Sequence, residues 1–187
     1  MGNTVWEKLN KTELKKQLMR NFGENIYDDM GEKSETGKSF VELLSEKSIK
    51  LNVTANNLDE VIEITGKTMT DSGLVKKKYT EELKNQIIQY GKYILVGNKT
   101  ILPHGQLLKN VKETGFSLIT LKKEIDFFGS EIRIVICLAS RNKDEHLRAI
   151  LELNRYLKNP DFENELLNKE NPKELIDYLK FLETADI

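Results

Sequence analysis

The chain has 187 residues, enough for one domain with a full core plus an appendage. Its 39% hydrophobic and 32% charged residues are ordinary for a globular protein, and a net charge of −1 gives no global field to draw nucleic acid or an anionic membrane surface. No apolar run nears the ~20 residues that span a bilayer, the first ten residues lack the apolar centre of a secretory signal, and the lone cysteine, Cys137, excludes an internal disulfide. These features predict a cytoplasmic protein.

Residues 4–22 repeat Val5, Leu9, Leu14, Leu18 and Phe22 at helical spacing and predict an amphipathic helix. Its apolar stripe can pack on its own domain or on a second copy in a homodimer. Gly23–Gly37, rich in glycine and charge, reads as a linker. Residues 1–37 therefore form a helix and linker, and residues 38–187 form one compact domain. That domain opens with a helical turn over Ser39–Leu44. Ile49, Leu51 and Val53 then alternate as in a strand. Asn57 is placed to cap a helix that carries Leu58, Val61, Ile62 and Met69 on one face and stops at Gly73. A second helix over Tyr79–Tyr90 turns Leu83, Ile87 and Ile88 inward and stops at Gly91.

Two short apolar runs follow, Tyr93–Gly97 and Thr100–His104. Gly115–Leu121 alternates as a strand, and Glu124–Ser130 reads as a connection. Glu131–Ser140 is almost continuously apolar, as expected of a central strand covered on both faces. Within it Cys137 reads as a small buried hydrophobe. Asn142 and Glu145 pair as a capping box for a helix over Lys143–Leu157, which sets Leu147, Ile150, Leu151 and Leu157 against the sheet. Asn159-Pro160 breaks it, and two short helices close the chain, Asp161–Leu167 and Pro172–Leu182. The order predicts an α/β fold: a mixed sheet of about four to six strands flanked by helices on both faces.

Histidine is the scarce residue, with only His104 and His146 in the chain. No clustered spacing suggests the three or four ligands of a zinc site, so no metal and no cofactor is expected. His104 lies between Pro103 and Gly105. Proline constrains the backbone before the histidine and glycine permits a tight turn after it, so His104 is expected at a strand end with an open side. A neutral imidazole there can act as a nucleophile and form a covalent intermediate; taken alone, Pro-His-Gly fits a surface histidine as well. His146 is expected in the first turn of a helix, where unpaired backbone N–H groups favour anions. As His⁺, with Arg141 in the preceding loop, it could contact a phosphoryl group. The same segment also reads as a solvated helix start, with Asp144 and Glu145 repelling an anion. Gly105 is a further candidate phosphate contact. Both histidines are placed at strand-to-loop junctions of one sheet, where ligands bind in α/β folds.

The stretches 48–75, 90–105, 111–127 and 139–147, with the hydrophobic-Pro-His-Gly motif at 102–105 and a second histidine after a strand, resemble the enzyme IIA components of the fructose–mannitol–ascorbate class, most nearly the ascorbate type. The resemblance covers about Phe40–Phe181. It implies that His104 takes a phosphoryl group from phosphorylated HPr and passes it to a cysteine of enzyme IIB, with His146 beside it as stabiliser, without metal, and with the membrane permease engaged only indirectly. Where ascorbate-type proteins continue with Arg-Pro-Glu, this chain has Gln106, Leu107 and Leu108. The arginine that the mannitol branch uses in the preceding helix falls nearest Gln86, and its role is not carried over. A helix and linker before such a domain also resemble the junction in transcription regulators that end in an enzyme IIA-like module, where phosphorylation reports sugar status. No helix-turn-helix is evident, so direct nucleic-acid binding is not expected.

Overall fold

The structure, a computed structural model, describes residues 37–105, 109–142 and 144–185. The expected N-terminal helix and all but the last residue of the linker lie outside the described residues, as do Gln106–Leu108. Four strands form one mixed sheet: β1 (Ile49–Val53), β2 (Thr100–Ile101), β3 (Gly115–Phe127) and β4 (Ser130–Ala139), in the order β1-β3-β4-β2. The outer pairs are parallel and the central β3–β4 pair is antiparallel. Among the described residues, five α-helices flank it: α1 (Leu58–Asp71), α2 (Tyr79–Tyr90), α3 (Leu147–Leu157), α4 (Phe162–Leu167) and α5 (Pro172–Thr184). None of these is long and apolar enough to cross a membrane.

The alternation of β4 explains the layering. Side chains of successive strand residues point to opposite faces. Ile134, Ile136 and Leu138 pack with α3, α4 and α5, while Val135, Cys137 and Ala139 pack with α1 and α2. Each face is thus closed by helices, and a nearly unbroken apolar run is the sequence such a strand needs. Cys137 is fully buried, and burial pushes its thiol far above the usual range, as expected of a small core hydrophobe.

Local signals set most boundaries. Asn57 Oδ1 accepts the Glu60 N–H at 2.9 Å, and Asn171 caps α5 in the same way at 3.0 Å with Pro172 at its start. Gly73 and Gly91 follow α1 and α2 with φ of 83° and 49°, which end a helix cheaply only at glycine.

Several expectations are revised. The connection over Glu124–Ser130 is instead the end of β3, a two-residue turn and the start of β4. Phe127 pairs with Ser130, and Phe128 and Gly129 both take positive φ, as the tight hairpin turn demands. The sequence Phe-Gly is not a common one for such a turn, and the irregular register between Thr120 and Ile125 interrupts the alternation. Ile88 is not inward but 61% exposed, because the buried stripe of α2 is Tyr79, Leu83 and Ile87, and the next residue lies about 100° around the helix. The helix expected from Lys143 begins at Leu147. Asn142 Oδ1 accepts the N–H groups of Asp144 and Glu145, so the capping residue closes a turn one step earlier. The run Tyr93–Gly97 becomes a short 3₁₀ turn, Gly91–Ile94, with a single bridge from Leu95 to Ile101.

Candidate active site

β2 and β4 are parallel neighbours, so their carboxyl ends open at the same edge of the sheet. His104 leaves the end of β2 and His146 lies beyond the end of β4. His104 forms an isolated parallel bridge with Leu138, and the Leu138 N–H donates to the Pro103 carbonyl at 3.0 Å. The histidine backbone is thereby fastened to the central strand. Its side chain is half-buried, and its Nδ1 lies 3.3 Å from its neighbour's carbonyl, Gly105 O. A carbonyl oxygen only accepts, so in this contact Nδ1 is the donor.

Tyr79, at the start of α2, holds the turn from below. Its hydroxyl donates to Leu138 O at 2.7 Å and accepts the Gly105 N–H at 2.7 Å. The phenol is fully buried, and that burial raises its pKa well above the usual value, so it stays protonated and able to donate. A Cβ on residue 105 would meet the Tyr79 ring at 2.4 Å, which is why glycine stands there. At the other end of α2, the Tyr90 ring lies 6.3 Å from the His104 ring, centroid to centroid.

His146 occupies the position just before α3 rather than its first turn, and is 2% exposed. Its Nδ1 lies 2.8 Å from Ser140 Oγ, which itself donates to the Asn142 carbonyl. Burial, then the charge on His104, push the His146 ring down to about 4, with Asp144 and Glu145 acting weakly in the opposite direction. The ring is therefore neutral at pH 7, not the His⁺ expected from the sequence. His104, from the end of β2, thus bears electrostatically on His146, which follows β4.

The two expected phosphate contacts are placed differently. The Gly105 N–H is committed to Tyr79. Arg141 is exposed on the loop between β4 and α3; its N–H donates to Thr114 Oγ1 at 3.0 Å and its guanidinium lies 3.7 Å from Glu113. Sequence reasoning missed Tyr79 and Ser140. No local pattern marks either one, since each matters through a partner far away along the chain or across a loop.

Residues 42–181 match the family model described as phosphoenolpyruvate-dependent sugar phosphotransferase system, EIIA 2. The chain belongs to this enzyme IIA family. Among its relatives is the ascorbate-specific PTS system EIIA component of Salmonella typhi, 30% identical over 107 residues, or 56% of this chain and 70% of that one. The enzyme IIA fold is seen again in a putative PTS IIA domain from Streptococcus pyogenes, at TM-score 0.71 and 23% identity over 80% of this chain and all of that one. It is also seen in the complex of enzyme IIAMTL and phosphorylated enzyme IIBMTL from Escherichia coli, at TM-score 0.64 and 22% identity over 74% and 97% of the two chains. The matched range 42–181 contains all four strands of the described mixed sheet and the Pro-His-Gly turn.

Proposed function

We propose that this protein is a phosphohistidine carrier, with His104 as acceptor and His146 as the ring that steadies the phosphoryl group. The observation that carries the reading is that His104 follows β2 and His146 follows β4, adjacent parallel strands whose carboxyl ends open at one sheet edge, with His104 bearing electrostatically on His146. Phosphoryl transfer is mainly positioning and electrostatics, and such a pair supplies both. Nε2 of His104 attacks phosphorus as the donor's phosphorus–nitrogen bond breaks. A thiolate then takes the phosphoryl group and returns His104 to its neutral form. Arg141, exposed on the same loop, adds positive charge at the rim.

The donor in this reading is phosphorylated HPr and the acceptor is a cysteine of enzyme IIB. A structural relative solved with phosphorylated enzyme IIB supports the second assignment. An exposed apolar rim supports a protein-sized donor. Tyr90 beside His104 is 38% exposed, and the same end of α2 exposes Ile88, followed by Tyr93 at 63%. The reading places the protein in the cytoplasm, with residues 38–187 carrying the function.

Incubation with labelled phosphoenolpyruvate, enzyme I and HPr tests the assignment. Wild type takes up an acid-labile, alkali-stable label, and His104→Ala takes up none. His146→Ala still labels but delivers phosphate poorly to enzyme IIB. Label retained in His104→Ala removes the acceptor assignment, and equal delivery by wild type and His146→Ala removes the role of the second ring.

A further inference from the structure

Ser140 is the first residue past β4, 4% exposed, with its hydroxyl between two partners. A serine hydroxyl has one hydrogen. The Asn142 carbonyl can only accept, so that hydrogen goes to Asn142 O. The His146 contact at 2.8 Å must then run the other way, with Nδ1–H donating to Ser140 Oγ. The neutral ring consequently carries its lone pair on Nε2, and Nδ1 is already engaged. A phosphoryl oxygen is an acceptor, and the Nε2 lone pair offers it no hydrogen.

We propose that Ser140 is a positioning residue for phosphoryl transfer: it fixes the His146 tautomer so that Nε2 is the nitrogen that meets the phosphoryl group, and that nitrogen must take a proton from solvent to hold it. The inference rests on the carrier reading above. The balance is simple. The donor's phosphorus–nitrogen bond breaks, the His104 Nε2–phosphorus bond forms, and one proton from water adds to His146 Nε2; delivery to an acceptor thiolate reverses the uptake. Before transfer the groups bearing on His146 are His104 from the end of β2, and Asp144 and Glu145 from its own loop. The dianionic phosphoryl group brings negative charge to the buried ring, which is what makes the uptake favourable on arrival.

Imidazole nitrogen NMR on the intact chain reads this directly. In the unphosphorylated wild type at pH 7, His146 is expected as a single neutral tautomer protonated at Nδ1, and phosphorylation of His104 converts it to the doubly protonated ring. Ser140→Ala mixes the two neutral tautomers and slows delivery to enzyme IIB about tenfold, the factor carried by one hydrogen bond to a charged group; Ser140→Thr, which keeps the hydroxyl, restores both. In a His146→Ala background Ser140→Ala has no further effect on delivery. An unchanged tautomer in Ser140→Ala, or the same slowing with His146 absent, overturns the proposal. The tautomer is measured without any transfer, so failure of His104 to accept label would sink the carrier reading while the Ser140 contact is judged separately.

Discussion

Removing a single oxygen from Tyr79 tests how the Pro-His-Gly turn is held. Tyr79→Phe keeps the ring that fills the space beside Gly105 but deletes the hydroxyl that bonds both Leu138 O and the Gly105 N–H at 2.7 Å. Each bond contributes ~1 kcal/mol net, and a buried N–H left without its acceptor adds a penalty of ~1–3 kcal/mol. The expected loss is about 3–5 kcal/mol in urea unfolding, with the denaturant slope unchanged. Because the lost bond is the one that ties the residue after His104 to α2, the rate of phosphoryl acceptance falls with it. Gly105→Ala approaches the same contact from the other side: its Cβ would lie 2.4 Å from the ring, an overpacking that costs ~1–3 kcal/mol. A Tyr79→Phe protein within about 0.5 kcal/mol of wild type and equally fast in accepting phosphate would refute the claim that this hydroxyl holds the turn.

Three further outcomes are expected. The His146 ring is pushed down to about 4 in the folded protein, below its unfolded value near ~6.5, so the unfolded chain binds the proton first as pH falls. Stability contributed by the neutral ring is therefore full above pH ~6.5 and is lost from there down to about 4; His146→Gln should flatten that part of the urea-stability profile by up to about 3 kcal/mol relative to wild type. Glu163, 8% exposed, accepts the N–H groups of Asn98 and Lys99 and the hydroxyl of Thr100 at 3.2, 2.8 and 2.6 Å. Glu163→Ala should cost about 3–5 kcal/mol in the same assay and, because it frees the strand that ends at His104, should also lower the labelling rate. On α2, Leu83→Ala should lose ~2–5 kcal/mol while the neighbouring-face change Ile88→Ala stays within ~0.5 kcal/mol. Similar losses for the two would contradict the observed rotation of the helix.

Much of the architecture was legible along the chain. Glycines and asparagines marked helix ends because the left-handed stop and the side-chain cap are local physics, set within four residues. The unbroken apolar run of β4 declared a strand covered on both faces, and the helices on both faces are there. The motif Leu102-Pro103-His104-Gly105 announced a constrained imidazole at a strand end before any fold was known. The Phe128-Gly129 turn was hidden because its residues are not the usual ones, and Ile88 was misplaced because one apolar residue beside a helical stripe looks like part of it.

The protonation and environment of the site belong to the tertiary structure alone. From the sequence, His146 read as a charged residue at a helix start. Only folding packs it beneath the loop after β4, beside Ser140 and near His104, and burial then makes the charged form expensive. Tyr79 likewise gains its role from contacts 26 and 59 residues away, which no local pattern encodes. Residue type and spacing determined which groups could do the chemistry; the placement of β2 beside β4 decided that both follow strands opening at one sheet edge, and burial decided the protonation state of His146.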